Sequence, residues 1–174
     1  MRTQKIAPST ETHTLKDGRT LAYTKSGTAD GFPVIVNHGT PGSRLFAAVL
    51  SDVASEHGVR LITPDRPGYG RSSPPPQDWT WRDWQTDLTE LLHAEAIDRA
   101  ALLGFSGGGP FALAAATCEW ASRVGIVGTV IPPADTALGK ISRIPFAIRV
   151  MFRVSNVLAS VAGPEIVVKQ YTDR

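Results

Sequence analysis

Four short apolar runs set the problem for this chain: FPVIVNHG (32–39), GVRLITPD (58–65), RAALLGFS (99–106) and VGIVGTVI (124–131). Their apolar residues are continuous and do not alternate with polar ones, which is the pattern of strands buried on both faces. Between them lie segments of helical pattern. Strand and helix in alternation predict a parallel sheet covered by helices on both faces, an α/β fold.

The segments between the runs supply the punctuation. THTLKDGRTLAYTK (12–25) reads as a hairpin turning at Asp17-Gly18. Leu45, Val49, Leu50 and Val53 recur at helical spacing in 44–57, and Gly58 follows as a stop. Thr80 and Asp83 have the spacing of a capping box, and Trp84, Leu88, Leu91 and Leu92 line one face of the helix it opens. GPFALAAATCEWASR (109–123) reads as a further helix, and DRPGYGRSSPPPQD (65–78) as a surface loop. The alternation stops at Pro132-Pro133, so the expected division is a core over 1–135 and a helical segment over 136–174.

With 174 residues, 42% hydrophobic and 20% charged, the chain has the composition of a globular domain. A formal net charge of +2 gives no reason to expect nucleic acid as a partner. No uninterrupted apolar run has the length of a membrane span, and MRTQKIAPSTET lacks the apolar core of a signal peptide. The single cysteine, Cys118, precludes an internal disulfide and is read as a packed thiol in the helix after Ser106. A cytoplasmic protein is the expectation.

Two loops fall where the parallel strands end at their carboxyl edge, the place where open α/β sheets gather ligands. They are NHGTPGSR (37–44) and GFSGGG (104–109). The second contains Gly-x-Ser-x-Gly as Gly104-Phe105-Ser106-Gly107-Gly108, between a strand and a helix. A strand turning directly into a helix forces the serine into a strained conformation, and glycines fit beside it. The Ser106 hydroxyl then stands above the sheet as a candidate nucleophile. The backbone N–H of Gly107 and one from the first loop would face the oxyanion formed when a carbonyl is attacked.

HGTPGSR, DRPGYGRS and GFSGGGP, in this order and spacing, resemble the α/β-hydrolase fold superfamily, from the DGRTLAY hairpin to the fourth parallel strand. The resemblance implies Ser106 as the nucleophile and Thr40 and Gly107 as the oxyanion-hole donors. It implies a sheet of eight strands, of which six are accounted for, and the opening of a helical cap at 136–174. An apolar cap implies a small-molecule substrate with an apolar part. No cofactor is implied, and no His/Cys/Asp cluster has metal-ligand spacing.

One departure from the family's order stands out. Its triad acid and histidine follow the nucleophile, whereas His13, His38, His57 and His93 all precede Ser106. His38 reads as an anchor of the first loop or, alternatively, as a base. Asp65 reads as a loop anchor, and Asp135 as a solvated carboxylate or a triad acid. The expectation is therefore an amino-terminal part of a larger serine hydrolase, inactive by itself, with an exposed sheet edge at the fourth parallel strand open to pairing. Three other readings remain. A non-catalytic binding protein of the same fold lacks the triad. A dinucleotide-binding domain would use GGGPFA (107–112). A membrane-surface anchor would use the basic apolar stretch 143–162.

Overall fold

The computed structural model describes residues 5–129, with side chains from residue 9 onward. These belong to a compact unit, Met1–Val130, and the second unit, Ile131–Arg174, lies outside the described residues. The expected cap at 136–174, Asp135 and the stretch 143–162 lie outside them too.

Strands β1 (Lys5–Thr14) and β2 (Thr20–Thr28) form the antiparallel hairpin. Its tip is a three-residue turn, one longer than Asp17-Gly18 suggests. Leu15 N–H donates to the Arg19 carbonyl at 2.8 Å, and Gly18 closes the turn at φ +85°. Asp17 Oδ1 accepts the Arg19 N–H at 3.0 Å, so the aspartate locks the turn instead of merely starting it.

The remaining strands are β3 (Phe32–Asn37), β4 (Val59–Pro64), β5 (Ala100–Phe105) and β6 (Ala121–Val127). The sheet order is β1-β2-β4-β3-β5-β6. β2 meets β4 antiparallel, while β4, β3, β5 and β6 run parallel. One consequence governs the site. β3 and β5 are neighbours, with Asn37 opposite Gly104, so the loops after both strands leave the sheet side by side.

Helix α1 (Ala47–Glu56) covers one face, and α2 (Trp81–Ala94) and α3 (Gly109–Ala115) cover the other. The α2 side holds the larger core, where Trp84, Leu88, Leu91 and Leu92 pack with Leu21, Ile35, Ile62 and Leu102. The capping box is present: Asp83 Oδ2 accepts the Thr80 N–H at 2.6 Å, and Thr80 Oγ1 accepts the Arg82 N–H at 3.3 Å.

Two sequence expectations are corrected. First, of its apolar stripe α1 packs only Leu50 against the core. Leu45, Val49 and Val53 are exposed, and Ala47, Ser51 and Ala54 face the sheet. The sheet explains this, because β2 presents Thr24, Ser26 and Thr28 on that side, and small residues let the helix settle close against them. Second, the helix after Ser106 ends at Ala115, and residues 121–123 belong to β6. Ladder bonds from β5 begin where Ala100 N–H donates to the Trp120 carbonyl, and sheet pairing overrides the weak helix propensity of this segment. Cys118 therefore sits in the turn after α3, half-buried, with burial pushing its thiol pKa up. The 65–78 loop runs over the surface as expected, anchored at its start by the buried Asp65 and Arg66.

β6 is the last strand of the described sheet and leaves Val124, Ile126 and Val127 exposed. Among the described residues no helix is long and apolar enough to cross a membrane.

Candidate active site

Ser106 follows β5 without a spacer and opens a 3-10 turn, Ser106–Gly108, that runs into α3. Its φ is +49°, a left-handed conformation that costs an L-residue about 1–2 kcal/mol. The glycines after it are required by close approach. A β-carbon on Gly108 would stand 1.9 Å from the Asn37 carbonyl oxygen. One on Gly107 would stand 2.7 Å from Thr40 Oγ1 and 3.3 Å from the Thr40 backbone nitrogen. On the other side of the serine, a β-carbon on Gly39 would stand 3.2 Å from Ser106 Cβ. Ser106, Gly107 and Thr40 are thus brought together, with glycine wherever a side chain would hold the two loops apart.

His38 lies beneath this arrangement, fully buried. Its Nδ1 bonds the Gly39 carbonyl at 2.9 Å, and its Nε2 accepts the Arg66 backbone N–H at 3.2 Å. An acceptor at Nε2 places the ring proton on Nδ1. Both nitrogens are spent on loop anchoring, and neither is free to take a proton from Ser106. Burial, ahead of any other cause, pulls its pKa down to about 4, so the ring is neutral at pH 7. His57 and His93 are exposed on α1 and α2 ends, and His13 is half-buried on β1.

Asp65 anchors loops, as its position after β4 suggests, but through a wider set of bonds. Its carboxylate accepts the Arg44 N–H at 2.6 Å, Arg44 Nη1 at 2.7 Å and the Arg71 N–H at 2.8 Å. The Arg44–Asp65 ion pair is buried. It joins the loop after β3 to the loop after β4.

Sequence reasoning missed Arg66. Its side chain is 3% exposed and runs under both site loops. Nη2 donates to the Gly39 carbonyl at 2.9 Å and to Thr40 Oγ1 at 2.6 Å, and Nη1 donates to the Gly107 carbonyl at 3.1 Å. The guanidinium carbon lies 4.4 Å from the Tyr69 ring centre and 4.6 Å from that of Phe111. These partners are backbone oxygens, a hydroxyl and aromatic faces, which leave no charge pattern in the sequence.

Among the described residues no three His, Cys, Asp or Glu side chains converge as metal ligands. What the arrangement offers chemically is a hydroxyl on a strained corner and backbone N–H groups of two loops held against each other.

The family model described as "Alpha/beta hydrolase family" matches residues 34–169. The non-heme chloroperoxidase of Streptomyces lividans is 34% identical over 98 residues, 56% of this chain and 36% of its own length. The proline iminopeptidase of Lactobacillus helveticus is 36% identical over 85 residues, 47% of this chain and 29% of its own length. The matched part of the chain thus spans about a third of these curated relatives. Among solved structures, the epoxide hydrolase CorEH superposes with a TM-score of 0.70 at 22% identity, covering 91% of this chain and 53% of that one. The Rhodococcus sp. ECU1013 esterase RhEst1 superposes with a TM-score of 0.58 at 28% identity, covering 70% of this chain and 46% of that one. With the family model covering most of its length, the chain belongs to the alpha/beta hydrolase family.

Proposed function

We propose that Ser106 is the nucleophile of a hydrolase acting on an ester-like or amide carbonyl, with the backbone N–H groups of Thr40 and Gly107 holding the oxyanion. The observation that carries this is the Ser106 corner at φ +49° with Gly107 packed against Thr40. Oγ would add to the carbonyl carbon, its proton would pass to a base, and the leaving group would depart to give an acyl-serine.

The base is the open position. No histidine follows Ser106 in the sequence, and both ring nitrogens of His38 are occupied. The 174 residues by themselves are therefore expected to react slowly or not at all, since binding and oxyanion stabilisation alone give only residual catalysis. The substrate proposed is a small molecule with an apolar part. Pairing at the β6 edge is proposed as a means of completing the sheet, and a cytoplasmic location accompanies the single cysteine.

A fluorophosphonate probe tests the reading in the protein as its gene encodes it. Labelling at Ser106 that disappears in Ser106→Ala is the expected result. An unlabelled serine, or ester hydrolysis unchanged in Ser106→Ala, would favour the non-catalytic binding protein of the same fold.

A further inference from the structure

We infer that Arg66 is the positioning residue of the oxyanion hole: its guanidinium clamps the loop after β3 to the turn after β5 and polarises the peptide that carries the Thr40 N–H. The inference deepens the reading of Ser106 above and rests on it.

The argument begins with the peptide between Gly39 and Thr40. Its oxygen is bonded twice, by His38 Nδ1 at 2.9 Å and by Arg66 Nη2 at 2.9 Å. A trans peptide points its N–H opposite to its carbonyl. Holding the oxygen inward thus aims the Thr40 N–H outward. A donor that is also a cation does more than aim it. Hydrogen bonds polarise one another in series, and charge-assisted ones are roughly twice as strong as neutral ones. Withdrawing electron density at the Gly39 oxygen makes the N–H at the other end of the same peptide a better donor.

The same guanidinium also reaches the second loop, one peptide beyond the Gly107 N–H. Its Nη1 bonds the Gly107 carbonyl at 3.1 Å, while Nη2 also bonds Thr40 Oγ1 at 2.6 Å. One rigid, planar group therefore spans both loops, a task for which the fork of arginine is suited and the point charge of lysine is not. Its charge rests on carbonyl oxygens, a hydroxyl and two aromatic faces. Among the described residues no carboxylate pairs with Arg66, since the Asp65 carboxylate is bound to Arg44 and the Arg71 N–H. Desolvation correspondingly holds the Arg66 pKa below its ordinary value. A buried cation without a counter-ion is costly for folding. Placed beneath two oxyanion donors, it gains an anionic partner when the tetrahedral intermediate forms.

The test compares Arg66→Lys and Arg66→Met with the parent protein, as the gene encodes it. Two readouts are used: turnover of a p-nitrophenyl ester, and the Thr40 backbone amide resonance. Removal of an oxyanion donor costs about 10²–10³ in kcat. Arg66→Met is expected to lose about 10²-fold in kcat with KM held within about twofold, and Arg66→Lys to recover part of the loss. In both, the Thr40 amide proton should move upfield. Equal kcat in parent and Arg66→Lys, with an unmoved Thr40 amide, overturns the inference. A kcat loss matched by an equal rise in KM overturns it too, because that pattern belongs to general loosening. Should Arg66→Met fail to fold, Arg66→Lys decides by the same criteria. A parent protein that neither labels with a fluorophosphonate nor turns over the ester, but whose Thr40 amide moves in Arg66→Lys, refutes the nucleophile and leaves the clamp standing.

Discussion

The backbone N–H of Arg66 donates to His38 Nε2 at 3.2 Å, inside the core and beneath the Ser106 loop. The bond can exist only while Nε2 carries no proton. Protonating His38 breaks it, strands a donor, and sets an imidazolium near the Arg66 guanidinium, whose charge already lowers the His38 pKa.

Folding stability should therefore depend on pH in a definite window. The His38 pKa falls from 6.5 to about 4 on folding, with burial as the largest cause. Between those values the unfolded chain binds a proton that the folded chain refuses, so stability rises with pH there and is lost as pH falls. By linkage the full loss from this group is about 3 kcal/mol, reached near pH 4. Urea unfolding at pH 7 and pH 4.5 measures the loss, and an NMR titration of the His38 ring assigns it. An apparent pKa near 6.5 in the folded protein would contradict the buried, doubly bonded ring.

Gly107 is where the turn after β5 meets Thr40. A methyl group there would press on Thr40 Oγ1 at 2.7 Å and on the Thr40 nitrogen at 3.3 Å. Gly107→Ala is expected to separate the two proposed donors and reduce ester turnover by about 10²-fold, the cost of one oxyanion donor. Thr40→Ala keeps the backbone N–H and should lose much less. A larger loss in Thr40→Ala than in Gly107→Ala would assign the chemistry to the hydroxyl instead.

The Arg44–Asp65 pair is structural, and its removal should be expensive. Asp65 is fully buried, and the Arg44 side chain is 8% exposed. Asp65→Asn leaves that cation without its partner and is expected to cost about 3–5 kcal/mol in urea unfolding. Ser106 labelling per folded molecule should be unchanged, because Asp65 touches neither Ser106 nor Thr40. Loss of labelling at full stability would make Asp65 a participant in the chemistry.

How much of this was legible in the sequence depended on whether the controlling contact is local. The Thr80–Asp83 cap, the Gly58 stop and the strained Ser106 corner are decided within a few residues, and all three are where the sequence put them. The face that α1 buries is decided by β2, some twenty residues earlier, whose hydroxyl stripe admits Ser51 and Ala54 and leaves Val49 in solvent. Helical spacing identified the stripe on α1 but not the surface opposite it. Arg66 was hidden for a related reason. Its bonds are to main-chain oxygens brought near by the β3–β5 adjacency, and main-chain atoms have no residue identity to read.

The α1 face leads to the last prediction. Thr24 and Thr63 are paired directly across β2 and β4 on the side that α1 covers, and both are buried. Neither hydroxyl has a hydrogen-bond partner among the described residues. An unsatisfied buried hydroxyl costs about 1–3 kcal/mol, and Val has the shape of Thr without that group. β-branching is retained, so strand preference is not sacrificed. Thr63→Val is therefore expected to stabilise the protein by about 1 kcal/mol, seen as a higher urea midpoint at unchanged slope. The double variant with Thr24→Val should add to the gain, because each substitution removes one unpartnered hydroxyl from the same face of the sheet. A destabilised Thr63→Val would mean that the hydroxyl does have a partner in solution, such as an ordered water.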